Sequence, residues 1–78
     1  VSMKLSDRRA WAKKIGENVR RVRTRAQLLQ KDLARALRSP QSHISRLEHG
    51  GAGMLPKLDT LRDIANAIPC MLSELLDL

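Results

Sequence analysis

Aromatic side chains are nearly missing from this chain: tyrosine and phenylalanine do not occur, and Trp11 is the one tryptophan. Proteins that hold single-stranded nucleic acid stack bases on aromatic platforms, so that mode is disfavoured. A lone cysteine, Cys70, excludes an internal disulfide and suits a reducing compartment. No apolar run approaches the roughly 20 residues that a membrane span needs, and no secretory leader is visible. Strand-like alternation, repeats and low-complexity tracts are also missing. Acidic residues are scarce, eight against fifteen lysines and arginines.

What is present is a short, basic, helix-forming chain. Its 78 residues make a single domain, with residues 1–5 expected to be flexible. A core of this size supplies about 3–5 kcal/mol, so a second copy or a bound partner is expected to add stability. The net charge of +7 is unevenly placed. Residues 1–26 carry +7, residues 27–50 carry +2 and residues 51–78 carry −2. A basic front and a weakly acidic back give the molecule a preferred side toward a polyanion.

Hydrophobic spacing divides the chain into five helices. Ser6 is a good N-cap for the first, in which Trp11, Ile15, Val19, Val22 and Ala26 form an inward stripe. Arg9, Lys13 and Arg20 line the opposite face, and Lys14, Arg21 and Arg25 form a second basic row. The second helix spans 30–37. The third runs from Pro40 at its first position, with Ser39 as cap, to about His49, where Gly50-Gly51 ends it. Residues 50–57 read as a flexible loop. The fourth helix, about 58–67, sets Leu58, Leu61, Ile64, Ala65 and Ile68 on one side; the fifth, about 71–77, carries Leu72, Leu75 and Leu76.

The most informative stretch is QKDLARALRSPQSHISRL, Gln30 to Leu47. Leu33, Ala34 and Leu37 share one helix face, and small Ala34 lies where two crossing helices would come closest. After a short break, Ile44 and Leu47 repeat at i+3, while Gln41, Ser42, Ser45 and Arg46 point elsewhere with groups able to hydrogen-bond a base edge. That is the outline of a helix-turn-helix.

With IGENVRRVR before it, SPQSHISRLEHG within it, and LDTLRDIANAI and LSELL after it, the chain resembles the lambda-repressor and Cro family, also called XRE-type. The likeness spans roughly Ile15 to Leu76. It implies an all-α, five-helix DNA-binding domain with the helix-turn-helix at helices two and three. Five departures stand out. Arg38 replaces the usual turn glycine and must adopt a left-handed conformation at a cost of roughly 1 kcal/mol. Ser39 and Pro40 stand where an apolar residue and a cap are typical, Leu29 replaces a Ser/Thr cap, and the loop before Pro56 is about two residues longer.

The resemblance implies roles residue by residue. Gln41, Ser42 and Arg46 match base-reading positions, with Ser45 beside them. Glutamine can pair bidentately with adenine and arginine with guanine, each discriminating by about 1–3 kcal/mol. Gln30 matches a phosphate-clamping glutamine at the start of helix two, a position suited to anions. Arg23 and Glu48 match a pair that joins helix one to the end of helix three, and Arg23 is also expected to face a phosphate. Phosphate contacts are further expected from His43, His49, Arg38 and Lys57, with Lys14, Arg21 and Arg25 in the wider pool. Leu72, Leu75, Leu76 and Leu78 exceed what one small core needs and are expected to form a dimer contact.

The expected function is a sequence-specific regulator of duplex DNA, a repressor acting as a homodimer on a partly palindromic operator in the prokaryotic cytoplasm or nucleoid. The competing reading is a protein-interaction module of the same fold, such as an antitoxin binding a partner protein; the altered turn at Arg38-Ser39-Pro40 supports it. A basic helix one lying on a membrane surface is disfavoured, because its apolar stripe is needed inside. No metal, cofactor or catalysis is expected: His43 and His49 lack ligand company, and Cys70 lacks an activating base.

Overall fold

A computed structural model describes residues 5–70 and 72–77. Five α-helices follow one another: α1 (Leu5–Arg25), α2 (Gln30–Leu37), α3 (Gln41–Glu48), α4 (Leu58–Ala67) and α5 (Leu72–Leu75). A 3₁₀ turn at Gly51–Gly53 joins α3 to α4, and no strand occurs among the described residues. Residues 1–4 of the expected flexible tail lie outside the described residues; Leu5 already belongs to α1, so Ser6 falls inside the helix rather than capping it. No described helix is long and apolar enough to cross a membrane.

The core is aliphatic, as the shortage of aromatics dictates. Ile15, Val19 and Val22 of α1, Leu33 and Ala34 of α2, Ile44 and Leu47 of α3, Leu61 and Ile64 of α4, Ile68, and Leu75 of α5 form one buried cluster. Trp11 and Ala26 do not join it. At about 100° per residue, the arc of α1 that is buried centres near Ala12, Ile15 and Val19. Trp11 sits on its flank, 45% exposed, and Ala26 lies past the helix end. Leu58 is likewise exposed, because at the first turn of α4 it has not yet reached the neighbouring helices.

Two helix ends close without glycine. Gln27 and Arg38 both take left-handed backbone angles, with φ of 61° and 54°. In each case the next N–H reaches back to a carbonyl five residues earlier, Leu28 to Arg23 at 3.1 Å and Ser39 to Ala34 at 2.9 Å. This is the Schellman closure, which satisfies the last carbonyls of a helix. Ser39 is used in this closure, so Pro40 becomes the N-cap residue of α3 and Gln41 its first helical residue, one position later than expected. At the start of α2, Leu29 offers no side-chain acceptor; instead Asp32 accepts from the Leu29 N–H at 2.8 Å.

The segment after α3 is held rather than loose. Gly50, Gly51, Ala52 and Gly53 all have positive φ, a left-handed turn packed against α1. A Cβ on Gly53 would stand 2.8 Å from Cγ of Arg9. Opposite it, Asn18 of α1 is fully buried and donates through Nδ2 to the carbonyls of Leu75 and Asp77 at 3.0 and 2.9 Å. That amide fastens the end of α5 to α1 and satisfies carbonyls a short helix leaves bare.

Candidate nucleic-acid interface

Helix α3 divides cleanly into an inward and an outward side. Ile44, Leu47 and Glu48 are buried, whereas Gln41, Ser42, His43, Arg46 and His49 are exposed and Ser45 is half-buried. Ser42 and Arg46 are one helical turn apart and point directly away from Ile44. His49 donates from Nδ1 to the Ser45 carbonyl at 2.7 Å, which turns its Nε2 outward. The outer side is therefore a short polar ridge, on which the side chains of Gln41, Ser42, His43 and Arg46 make no hydrogen bond among the described residues.

What aims this ridge is a buried ionic knot. Arg23 Nε donates to Glu48 Oε2 at 2.6 Å and Nη2 to Oε1 at 3.0 Å, while Nη1 donates to the Leu28 carbonyl at 2.8 Å. Gln30 Nε2 adds a further hydrogen bond to Glu48 Oε1 at 3.1 Å. The Glu48 side chain is 1% exposed, so its charge depends on these donors. Hydrogen bonding to Glu48 holds the Arg23 guanidinium above its ordinary pKa, against the opposing effect of burial. One carboxylate thus links α1, the start of α2 and the end of α3.

Arg23, also expected to face a phosphate, is buried with its nitrogens turned to Glu48 and Leu28, which makes it a strut between α1 and α3. Gln30 is half-buried at the first position of α2, anchored by Glu48 beside N–H groups that the helix leaves without partners. Backbone packing completes the placement. A Cβ on Gly16 would stand 2.4 Å from the Leu47 carbonyl oxygen, so α1 and the end of α3 meet main chain to main chain.

Arg38 is exposed in the turn before α3. His43, Arg46 and Lys57 border one cleft of about 420 Å³ between α3 and the start of α4, walled by Leu47, Met54, Leu55 and Pro56. Arg21 and Arg25 belong elsewhere: Arg21 donates to Asn18 Oδ1 at 2.9 Å and Arg25 pairs with Glu74 at 2.9 Å, both on the side of α1 that faces α5. Among the expected dimer residues, Leu75 is wholly buried in the core and Leu72 packs against it, because α5 must cover α1 and α4. Leu76 is exposed, and Leu78 lies outside the described residues.

Gly16 and Asn18 carry weight that their place in the sequence pattern does not announce. A glycine inside a helix costs about 1 kcal/mol against alanine, which is itself a signal of close packing. Asn18 falls between the apolar stripe and the basic row, where periodicity alone gives no assignment. Cys70 is half-buried; burial first, then the charge of Glu74, pushes its thiol up, with Arg25 opposing. Among the described residues no group of three His, Cys, Asp or Glu side chains is placed to hold a metal ion.

The family model described as helix-turn-helix matches residues 19–75. The chain belongs to the XRE-type helix-turn-helix family. Among solved structures, this helix-turn-helix protein is similar to the restriction-modification controller protein C.AhdI from Aeromonas hydrophila. The identity is 27% and the TM-score 0.76, covering 85% of this chain and 97% of that one. No curated protein matches the sequence. With the ridge of α3 exposed and braced from behind, the chain is a DNA-binding helix-turn-helix regulator.

Proposed function

We propose that this protein binds duplex DNA sequence-specifically and represses transcription as a homodimer on a partly palindromic operator. The observation that carries the reading is the outward side of α3. Gln41, Ser42 and Arg46 are exposed there, and the helix behind them is locked by Glu48. In this reading Gln41 and Arg46 pair with base edges in the major groove, and Ser42 and Ser45 make shorter contacts. Gln30, Arg38, His43, His49 and Lys57 hold the backbone on either side. The likeness to a restriction-modification controller supports a control role of that kind.

One α3 spans about 12 Å and covers only a few base pairs, so two copies about 34 Å apart are required for useful specificity. Besides Leu76 just past α5, a second exposed apolar surface is open to another copy. Met54 and Leu58, 67% and 65% exposed, stand with Leu55 at the start of α4, and Leu76 is 40% exposed. In this reading a two-fold contact through Met54, Leu55 and Leu58 would turn both copies of α3 toward one side of a duplex. The competing protein-partner reading drew its support from Arg38, and the turn there closes with ordinary helix-end geometry.

Selecting bound sites from a pool of random duplexes tests the proposal. A recurrent site with partial two-fold symmetry is the expected outcome. Failure to enrich any sequence would overturn it.

A further inference from the structure

The geometry points to a second DNA-backbone contact, made by Arg9 and Lys13 of α1, outside both the recognition helix and the part of the chain matched by the family. It rests on the duplex-DNA reading above. The family match begins at residue 19, whereas α1 begins at Leu5, and the added turns bring Arg8, Arg9, Lys13 and Lys14 against Asp7 and Glu17. At about 100° per residue, Arg9, Lys13 and Arg20 share one flank of α1, separated by about 6 and about 10 Å along the axis. That flank adjoins Gly16, which meets the end of α3.

The glycine turn brings the two sets of cations together. On one side of it, Arg9 Cγ lies 2.8 Å from where a Cβ on Gly53 would stand, and Lys13 Cα lies 3.5 Å from that of Gly50. On the other side, Gly51 lines the cleft shared by His43, Arg46 and Lys57. Arg9, Lys13 and Lys57 are all exposed. Glu17, one turn from Lys13, makes no ion pair with it among the described residues. The second basic row differs, since Arg21 and Arg25 are engaged by Asn18 and Glu74. The positive surface of the reading helix therefore continues across the turn onto α1, toward the next phosphates of the same duplex. Such contacts read no sequence; they add affinity and lengthen the footprint.

The test is the full-length pair Arg9→Gln with Lys13→Gln. Its control, Lys14→Gln with Arg25→Gln, removes the same charge from the side facing α5. Affinity is measured across salt on the selected duplex and on a scrambled one, with helicity checked by circular dichroism. The first pair is expected to weaken both duplexes alike, by roughly 10- to 100-fold at about 0.1 M salt, and to make the log–log salt slope shallower by about 2. The control is expected to change the slope by much less. Equal slopes for the two pairs, or a wild-type slope for the first, overturn the α1 contact while the α3 reading stands. A wild-type chain that binds no duplex at any salt overturns both. Loss of binding to phosphatidylserine vesicles with duplex affinity unchanged would assign the row to a membrane and also overturn it.

Discussion

Glu48 is the residue on which the orientation of α3 depends. A carboxylate this deeply buried is tolerated only because Arg23 and Gln30 together supply three hydrogen bonds. Glu48→Ala strands the guanidinium of Arg23 and is expected to cost about 3–5 kcal/mol in urea denaturation, enough to unfold most of a domain of this size. Replacing both Arg23 and Glu48 by methionine should recover much of that loss, since an apolar pair leaves no buried charge. A cost below about 1 kcal/mol for Glu48→Ala would mean the pair behaves as a surface ion pair. Arg38 is the opposite case, an exposed side chain on a strained backbone. Arg38→Gly relieves the left-handed strain but frees the unfolded chain, so a net gain of about 0.5–1 kcal/mol is expected. A lower urea midpoint would show that the arginine side chain contributes more than the turn costs.

At the scale of the helices, α1 is the organiser. Its Gly16 side receives the end of α3, its Asn18 side receives the end of α5, and the stripe between them faces the core. Gly16→Ala pushes a methyl into the Leu47 carbonyl and is expected to destabilise by about 1–3 kcal/mol. The same change should weaken binding to the cognate duplex more than to a scrambled one, because α3 is re-aimed; an equal loss on both would contradict that. Helix order and most boundaries were legible, because a spacing of three and four residues, Pro40, and Gly50 act locally. Trp11 and Leu75 were not. Periodicity shows which residues share an arc, but which end of an arc meets a neighbour depends on packing between helices. Leu75 read as surplus only because its partner across the core, α1 with Asn18, is 57 residues away in sequence. The exposed polar side of α3 was legible as a pattern, yet the helix starts one residue later than expected because Ser39 is drawn into the preceding turn.

The whole molecule measures about 36 × 23 × 19 Å, near the length of one turn of DNA, with a single reading helix on it. Its charge is concentrated in α1 and the helix-turn-helix, so the face that meets a polyanion is set before any contact forms. In the proposed homodimer a second copy supplies what one copy lacks. Met54→Asp with Leu58→Asp, both at exposed positions, is expected to yield a folded monomer by sedimentation, where the wild type is expected to sediment as a dimer. An unchanged dimer would move the contact to Leu76 and its surroundings.

The claim that α3 reads bases is tested most directly by comparing wild type and Arg46→Ala on the selected site and on its single-position variants. Arg46→Ala is expected to lose about 1–3 kcal/mol on the selected site and to stop distinguishing bases at one position per half-site, with preferences elsewhere retained. Equal weakening on every duplex, with the base preferences intact, would contradict it.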